Sequence, residues 1–230
     1  MHPIERLRYV ARAGWAGPAE LGAEAAYALA ELAETEPAAL LPACRRLLQH
    51  NPTCGPLWWV AARLLSAGDL LVEATRCVEA LEDDPTDERV EEALGNRRGV
   101  RHGGVAEVAG ADVVLVDVDA LGPGGMVVDG DDLGLLEAAR ATETDIWAVA
   151  GVGRLLPARL WLALAELARC PPAGVRTVVP AYFDSGGVAA GTVVGHGGVV
   201  AIGGPNGVAP LAQALSAPDC PEPPELVGRW

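Results

Sequence analysis

The residues best suited to chemistry lie in the second half of the chain. Asp119 follows the β-branched run Asp112 to Val118. A carboxylate at the C-terminal end of a parallel strand faces the crevice where open sheets bind ligands, and it can take and return a proton there. The same residue can instead act as a turn aspartate capping Gly122 to Gly125. Gly151-Val152-Gly153-Arg154 leads from a strand into a helix. Its backbone N–H groups and one guanidinium make Gly151, Gly153 and Arg154 candidates for holding a substrate or anion. Arg154 is equally able to pair with a carboxylate of the chain. Asp129, Asp131 and Asp132 have the D-x-D-D spacing of a hard-cation site. They lack the glutamate that completes a calcium loop and precede a helix, where acids are favoured electrostatically, so helix capping is the reading.

Several chemistries are excluded. All 17 cationic residues are arginines, so Schiff-base chemistry and a lysine-bearing phosphate loop are ruled out. His102-Gly103-Gly104 and His196-Gly197-Gly198 suggest oxyanion-hole loops, but no G-x-S-x-G supplies a nucleophile. Neither histidine has a second one nearby, so no metal is expected, and no cofactor. The five cysteines form no C-x-x-C pair, and most read as small buried hydrophobes in a reducing compartment. A net charge of −14 points away from nucleic acid. Arg97, Arg98, Arg101 and His102 are too few to reverse that and read as a solvated hinge. Trp15, Trp58, Trp59 and Trp161 have no interleaved basic residues and read as core or interface. No apolar run approaches the roughly 18 residues of a membrane span, and the first residues lack the order of a signal peptide. The expectation is a cytoplasmic protein with no membrane partner.

These groups need a scaffold, and the chain offers two kinds. Residues 1–94 read as a helical domain with apolar stripes at Ile4–Ala11, Leu21–Leu32, Leu40–Leu48, Trp58–Leu65 and Leu70–Leu81. The acid-rich Glu82 to Glu92 stretch reads as a loop and a short exposed helix. Residues 95–104 read as a glycine/arginine-rich linker. Residues 105–230 read as an α/β domain with strands at Asp112–Val118, Ile146–Ala150 and Val175–Val179 and helices at Leu133–Ala141 and Pro157–Ala168. That order is the order of an open, mostly parallel sheet. Two short strands, Thr192–Val194 and Val199–Ile202, lie in a Gly/Val-rich stretch of poorly specified register. A Pro-rich tail, Pro218 to Pro224, follows.

Two places resemble a known family. Leu21-Gly22-Ala23-Glu24-Ala25-Ala26-Tyr27-Ala28-Leu29 and Asn51-Pro52-Thr53-Cys54-Gly55-Pro56-Leu57-Trp58 are similar to the alanine-rich helix and P-T-x-x-x-L segment of the initiation factor 2B alpha/beta/delta-subunit and aldose-phosphate isomerase family. Gly110-Ala111-Asp112-Val113-Val114-Leu115-Val116, running into Asp117-Val118-Asp119 and Gly122-Pro123-Gly124-Gly125, resembles the family's G-A-D strand and small-residue turn. The resemblance implies a helical N-terminal domain and a ribose-5-phosphate isomerase/CoA-transferase-like sheet. It also places Asp119 on the aspartate that moves protons in the isomerases, such as methylthioribose-1-phosphate isomerase.

The remaining parts of that family site are absent. No cysteine precedes the G-A-D strand between the helical half and Asp112. The family's asparagine-lysine pair falls on Asp129-Gly130, and its next G-T falls on Asp132-Leu133. Carboxylates there repel a sugar phosphate. The R-G-A-P segment matches only Ala16-Gly17-Pro18, without its arginine. The leading expectation is therefore a shortened, divergent, non-catalytic member acting as a binding or assembly protein. A truncated sheet with an open edge favours a homodimer or a protein partner. The alternatives are an aldose-ketose isomerase acting on a small phosphorylated sugar with Asp119 as acid/base, and, by family analogy, a translation initiation regulatory factor.

Overall fold

The computed structural model describes residues 17–122, 125–128, 130–168, 177–180, 191–195, 198–202 and 220–227. Helices come first. α1 (Pro18–Thr35) starts with proline in its first turn, where the missing N–H costs nothing, and Glu20 reaches back to the Gly17 N–H at 3.1 Å. A 3₁₀ turn (Pro37–Ala39) leads into α2 (Leu40–His50), which buries Leu40, Cys44, Leu47 and Leu48. α3 (Gly55–Ser66) is buried along most of its length, as a helix apolar on nearly every side must be. The indole N–H of its Trp58 donates to the Pro52 carbonyl at 2.8 Å, so the large side chain enters the core with its polar atom satisfied. α4 (Leu70–Glu82) is capped by Asp69, whose side chain accepts the Val72 N–H at 3.1 Å.

α5 (Thr86–Leu94) departs from the expectation of an exposed helix. It packs against the sheet, with Val90 buried in one cluster with Val113, Leu115, Trp147 and Val149. Val90 is the one aliphatic side chain inside the Glu82 to Glu92 stretch, and Ala93 and Leu94, which complete the covered stripe, lie just beyond it.

The sheet contains β1 (Gly99–Arg101), β2 (Val113–Gly122), β3 (Gly125–Val128), β4 (Asp145–Ala150), β5 (Thr177–Pro180), β6 (Gly191–Gly195) and β7 (Gly198–Ile202). β1 lies inside the 95–104 stretch, and the short α6 (Val105–Val108) follows it. Parallel pairing joins β1, β2, β4 and β6, whereas β3, β5 and β7 enter through antiparallel pairs. The order is β5-β3-β2-β4-β6-β7, with β1 on the lower part of β2. The strand expected at Val175–Val179 therefore does not extend the parallel series beside β4. It pairs with β3, because the hairpin after β2 offers it an edge.

Strand pleating divides the core. Val114, Val116 and Val118 face α7 (Gly130–Ala141) through Leu135, Leu136 and Ala139, while Val113 and Leu115 face α5. At the far end of β2, Ala120 and β3's Val127 join one apolar cluster with α1 to α4 and with α8 (Ala158–Ala168). Gly122 is needed there: an added Cβ would run into the ring of Trp161 on α8. Among the described residues no helix is long and apolar enough to cross a membrane. The first predicted helix, Trp15, Asp129, Cys170 and His196 lie outside the described residues, as does the side chain of Asp131.

Candidate functional site: the crevice beyond β2 and β4

β2 runs further than the Asp112–Val118 run suggests. It is parallel to β4 from Val113 to Asp117 and then antiparallel to β3, with Val118 opposite Val128 and Ala120 opposite Val127. Asp119 is thus the extra residue of a β-bulge, a device that re-aims a side chain where a strand leaves its regular ladder. It is 7% exposed and lies within the strand, before the turn at Gly122.

Two elements close on this bulge. The first is the start of α3, where an added Cβ on Gly55 would run into the Asp119 carbonyl and sit 3.1 Å from the Arg154 Cα. Only glycine permits that approach. The second is the loop after β4. Leu121 donates its N–H to the Arg154 carbonyl at 2.7 Å, and Leu156 donates to the Leu121 carbonyl at 2.8 Å. Asp119, Gly153 and Arg154 are therefore brought together. Trp59, 2% exposed, borders the same loop at Gly153 and carries the Arg63 guanidinium 4.9 Å from its ring centre.

Gly151 faces a residue that sequence reasoning did not single out. Asp84, between α4 and α5, accepts the Val152 N–H at 2.7 Å and the Thr86 N–H at 3.0 Å. A Cβ on Gly151 would run into the Asp84 carboxylate. Arg154 donates from Nη1 to the Val118 carbonyl at 2.9 Å, and its N–H goes to the Gly151 carbonyl at 3.2 Å. The Val152 N–H, the Arg154 N–H and Arg154 Nη1 are thus engaged with groups of the chain itself. An aspartate two residues before a helix-starting threonine was a readable capping signal. Its contact with Val152, 68 positions away, had none.

Arg97, Arg101 and His102 of the basic cluster each stand against a carboxylate. Arg101 grips Asp117 through Nε at 2.8 Å and Nη2 at 2.7 Å, and reaches Asp87 through Nη1 at 2.8 Å. The hydrogen bond to Asp117, opposed by burial and aided by Asp87, pushes the Arg101 guanidinium further toward the protonated form. His102 stands 3.1 Å from Asp117 with a left-handed backbone, φ 56°. Arg97 pairs with Asp145 and lies over the Trp147 ring, its guanidinium 5.2 Å from the ring centre. The arginines expected in a solvated hinge instead tie β1 and its approach to the sheet, because carboxylates on β2 and at the start of β4 stand within reach.

Asp132 is buried in the first turn of α7. Among the described residues, no three His, Cys, Asp or Glu side chains are grouped to hold a metal ion. Cys44, Cys54, Cys77 and Cys220 are buried and form no disulfide among the described residues, and burial pushes the Cys44 thiol pKa up to about 12.

No protein-family model matches the sequence, and no curated protein matches it. Solved structures do. A chain of the tetrameric eIF2B β2δ2 complex from C. thermophilum aligns over 93% of this chain and 94% of its own, at 11% identity and a TM-score of 0.64. eIF2B beta from Chaetomium thermophilum aligns over 97% and 92%, at 10% identity and a TM-score of 0.61. 5-Methylthioribose 1-phosphate isomerase from Pyrococcus horikoshii aligns over 93% and 86% at 13% identity, with a TM-score of 0.42. At such low identity the likeness is one of fold, and it agrees with the resemblance read from the motifs: a helical N-terminal half and a mostly parallel sheet on the scaffold of the initiation factor 2B subunits.

Proposed function

We propose that the chain is a non-catalytic binding or assembly protein built on the initiation factor 2B scaffold. The observation that carries this reading is the internal occupation of the crevice. The Val152 N–H is held by Asp84, and Arg154 Nη1 is held by the Val118 carbonyl. A phosphorylated sugar entering there meets carboxylates and no lysine. Assembly is supported by the neighbour's place in a tetrameric complex and by a sheet path that ends in β5 and β7. The expected solution species is a homodimer, about twice the chain's 23.7 kDa. Light scattering across a concentration series tests this, and a stable monomer that retains no partner sinks the reading.

A second reading, sugar-phosphate isomerisation with Asp119 as acid/base, is favoured by the burial of that carboxylate in a bulge at the crevice. It predicts that sugar phosphates raise the melting temperature and that Asp119→Asn abolishes turnover. A panel of sugar phosphates producing no shift removes it. By analogy with the neighbours, a regulatory role in translation initiation predicts co-purification with translation factors.

A further inference from the structure

The tail does not simply trail off. Residues 220–227 lie across the helical layer and α8, with Leu226 fully buried and Cys220 also part of the large apolar cluster. Two polar contacts flank this anchor. Glu222 Oε1 accepts the Arg159 N–H in the first turn of α8 at 2.8 Å, and Arg45 Nη2 on α2 donates to the Glu225 carbonyl at 2.8 Å. Leu226 N–H bonds to the Pro223 carbonyl at 3.0 Å, which turns the leucine inward.

We infer that the groove beneath residues 220–227 is a peptide-binding site, filled in cis by the tail and suited to a proline-rich partner segment with a glutamate four residues before a leucine. The contacts divide as they do in short-motif recognition. An arginine reads a backbone carbonyl, a helix N-terminus reads a carboxylate, and an apolar site takes one leucine. Pro221, Pro223 and Pro224 limit the chain's conformations before binding, so less entropy is lost on docking. Both polar contacts lie at exposed positions, where water competes for them, so the single leucine carries most of the hold. Nothing in the three contacts requires the segment to be covalently joined to the chain. A segment of the same chemistry on another protein competes for the groove whenever the tail lifts, and this names a partner class for the binding role proposed above and rests on it.

The test uses a fluorescently labelled Pro-Glu-Pro-Pro-Glu-Leu-Val peptide, the full chain, and the full-length E222Q/L226A variant. Anisotropy is expected to show the variant binding the peptide at least about tenfold more tightly than the wild type, a margin well above measurement error. Replacing the peptide's leucine by alanine, or adding Arg45→Met to the variant, is expected to remove that gain. Should the variant lose the wild-type circular dichroism, E222Q alone is compared with the wild type. Because Leu226 still holds its tail, a smaller gain of about twofold, again lost with the peptide's leucine, is expected, and no gain overturns the inference. No binding by a folded variant, binding indifferent to the leucine, or tail exchange between variant copies in place of peptide binding each overturns the inference. Peptide capture and solution mass are separate readouts, so failure here is distinguishable from failure of the assembly reading.

Discussion

Asp84 links two layers through one side chain. One oxygen caps the approach to α5 and the other holds the loop after β4. Replacing it with alanine leaves the Val152 N–H without its acceptor, and an unsatisfied buried donor costs about 1–3 kcal/mol. Urea denaturation should show Asp84→Ala destabilised within that range and Asp84→Asn less affected, because the amide oxygen can still accept. Cys44 offers a pH-dependent check. Its folded pKa is raised from 9.0 to about 12 by burial, so its contribution to stability is fully present below about pH 9. As pH rises from there toward 12 the unfolded thiol ionises first, and that contribution is lost. Stability measured across this window should fall more steeply in the wild type than in Cys44→Ala. The native Cys44 should also resist thiol reagents at neutral pH, where almost none of it is thiolate.

Among the elements, β2 does the most positioning. Its lower part is an interior parallel strand between β1 and β4, and its upper part is one arm of a hairpin. The bulge at Asp119 marks the change of partner and brings that residue's backbone carbonyl against the start of α3. The upper arm also depends on close packing at Gly122, where Trp161 takes the space a side chain would need. Gly122→Ala should therefore destabilise the protein by about 1–3 kcal/mol, the usual cost of overpacking. The companion Trp161→Leu substitution should relieve part of it in a double-mutant cycle. α5 shows how little amphipathic signal a covered helix needs. Val90 faces the sheet, flanked by half-buried Ala93 and Leu94, whereas the acid-rich stretch around it reads in sequence as a loop and a short exposed helix.

At the scale of the whole molecule, one apolar cluster runs from α1 through α4 to β2, β3, α8 and the tail. Division into a helical domain and a sheet domain at 95–104 remains a proposal, and cooperativity tests it. Leu57→Ala on α3 and Leu160→Ala on α8 remove fully or nearly fully buried side chains from that cluster. Each should cost about 2–5 kcal/mol. A shared core predicts that both lower a single calorimetric transition, whereas separate domains predict that each lowers its own.

The sequence by itself determined the local elements and the class of fold. Helical spacing of leucine and alanine, prolines at helix starts and the β-branched run before Asp119 all act over a few residues, so they can be read without the fold. The exclusion of lysine chemistry was equally legible, because it depends on composition alone. Tertiary structure decided the rest. Pairing of β5 with β3, capture of Arg101 by Asp117 and of Arg97 by Asp145, the carboxylate of Asp84 on Val152 and the burial of Leu226 join residues far apart in the chain. No periodicity records such contacts, since each is selected by which surfaces remain uncovered after the local elements have formed. Asp119 shows the division most clearly. Its place after a strand was readable from residue types, but the bulge that buries it depends on a hairpin partner that only the folded chain supplies.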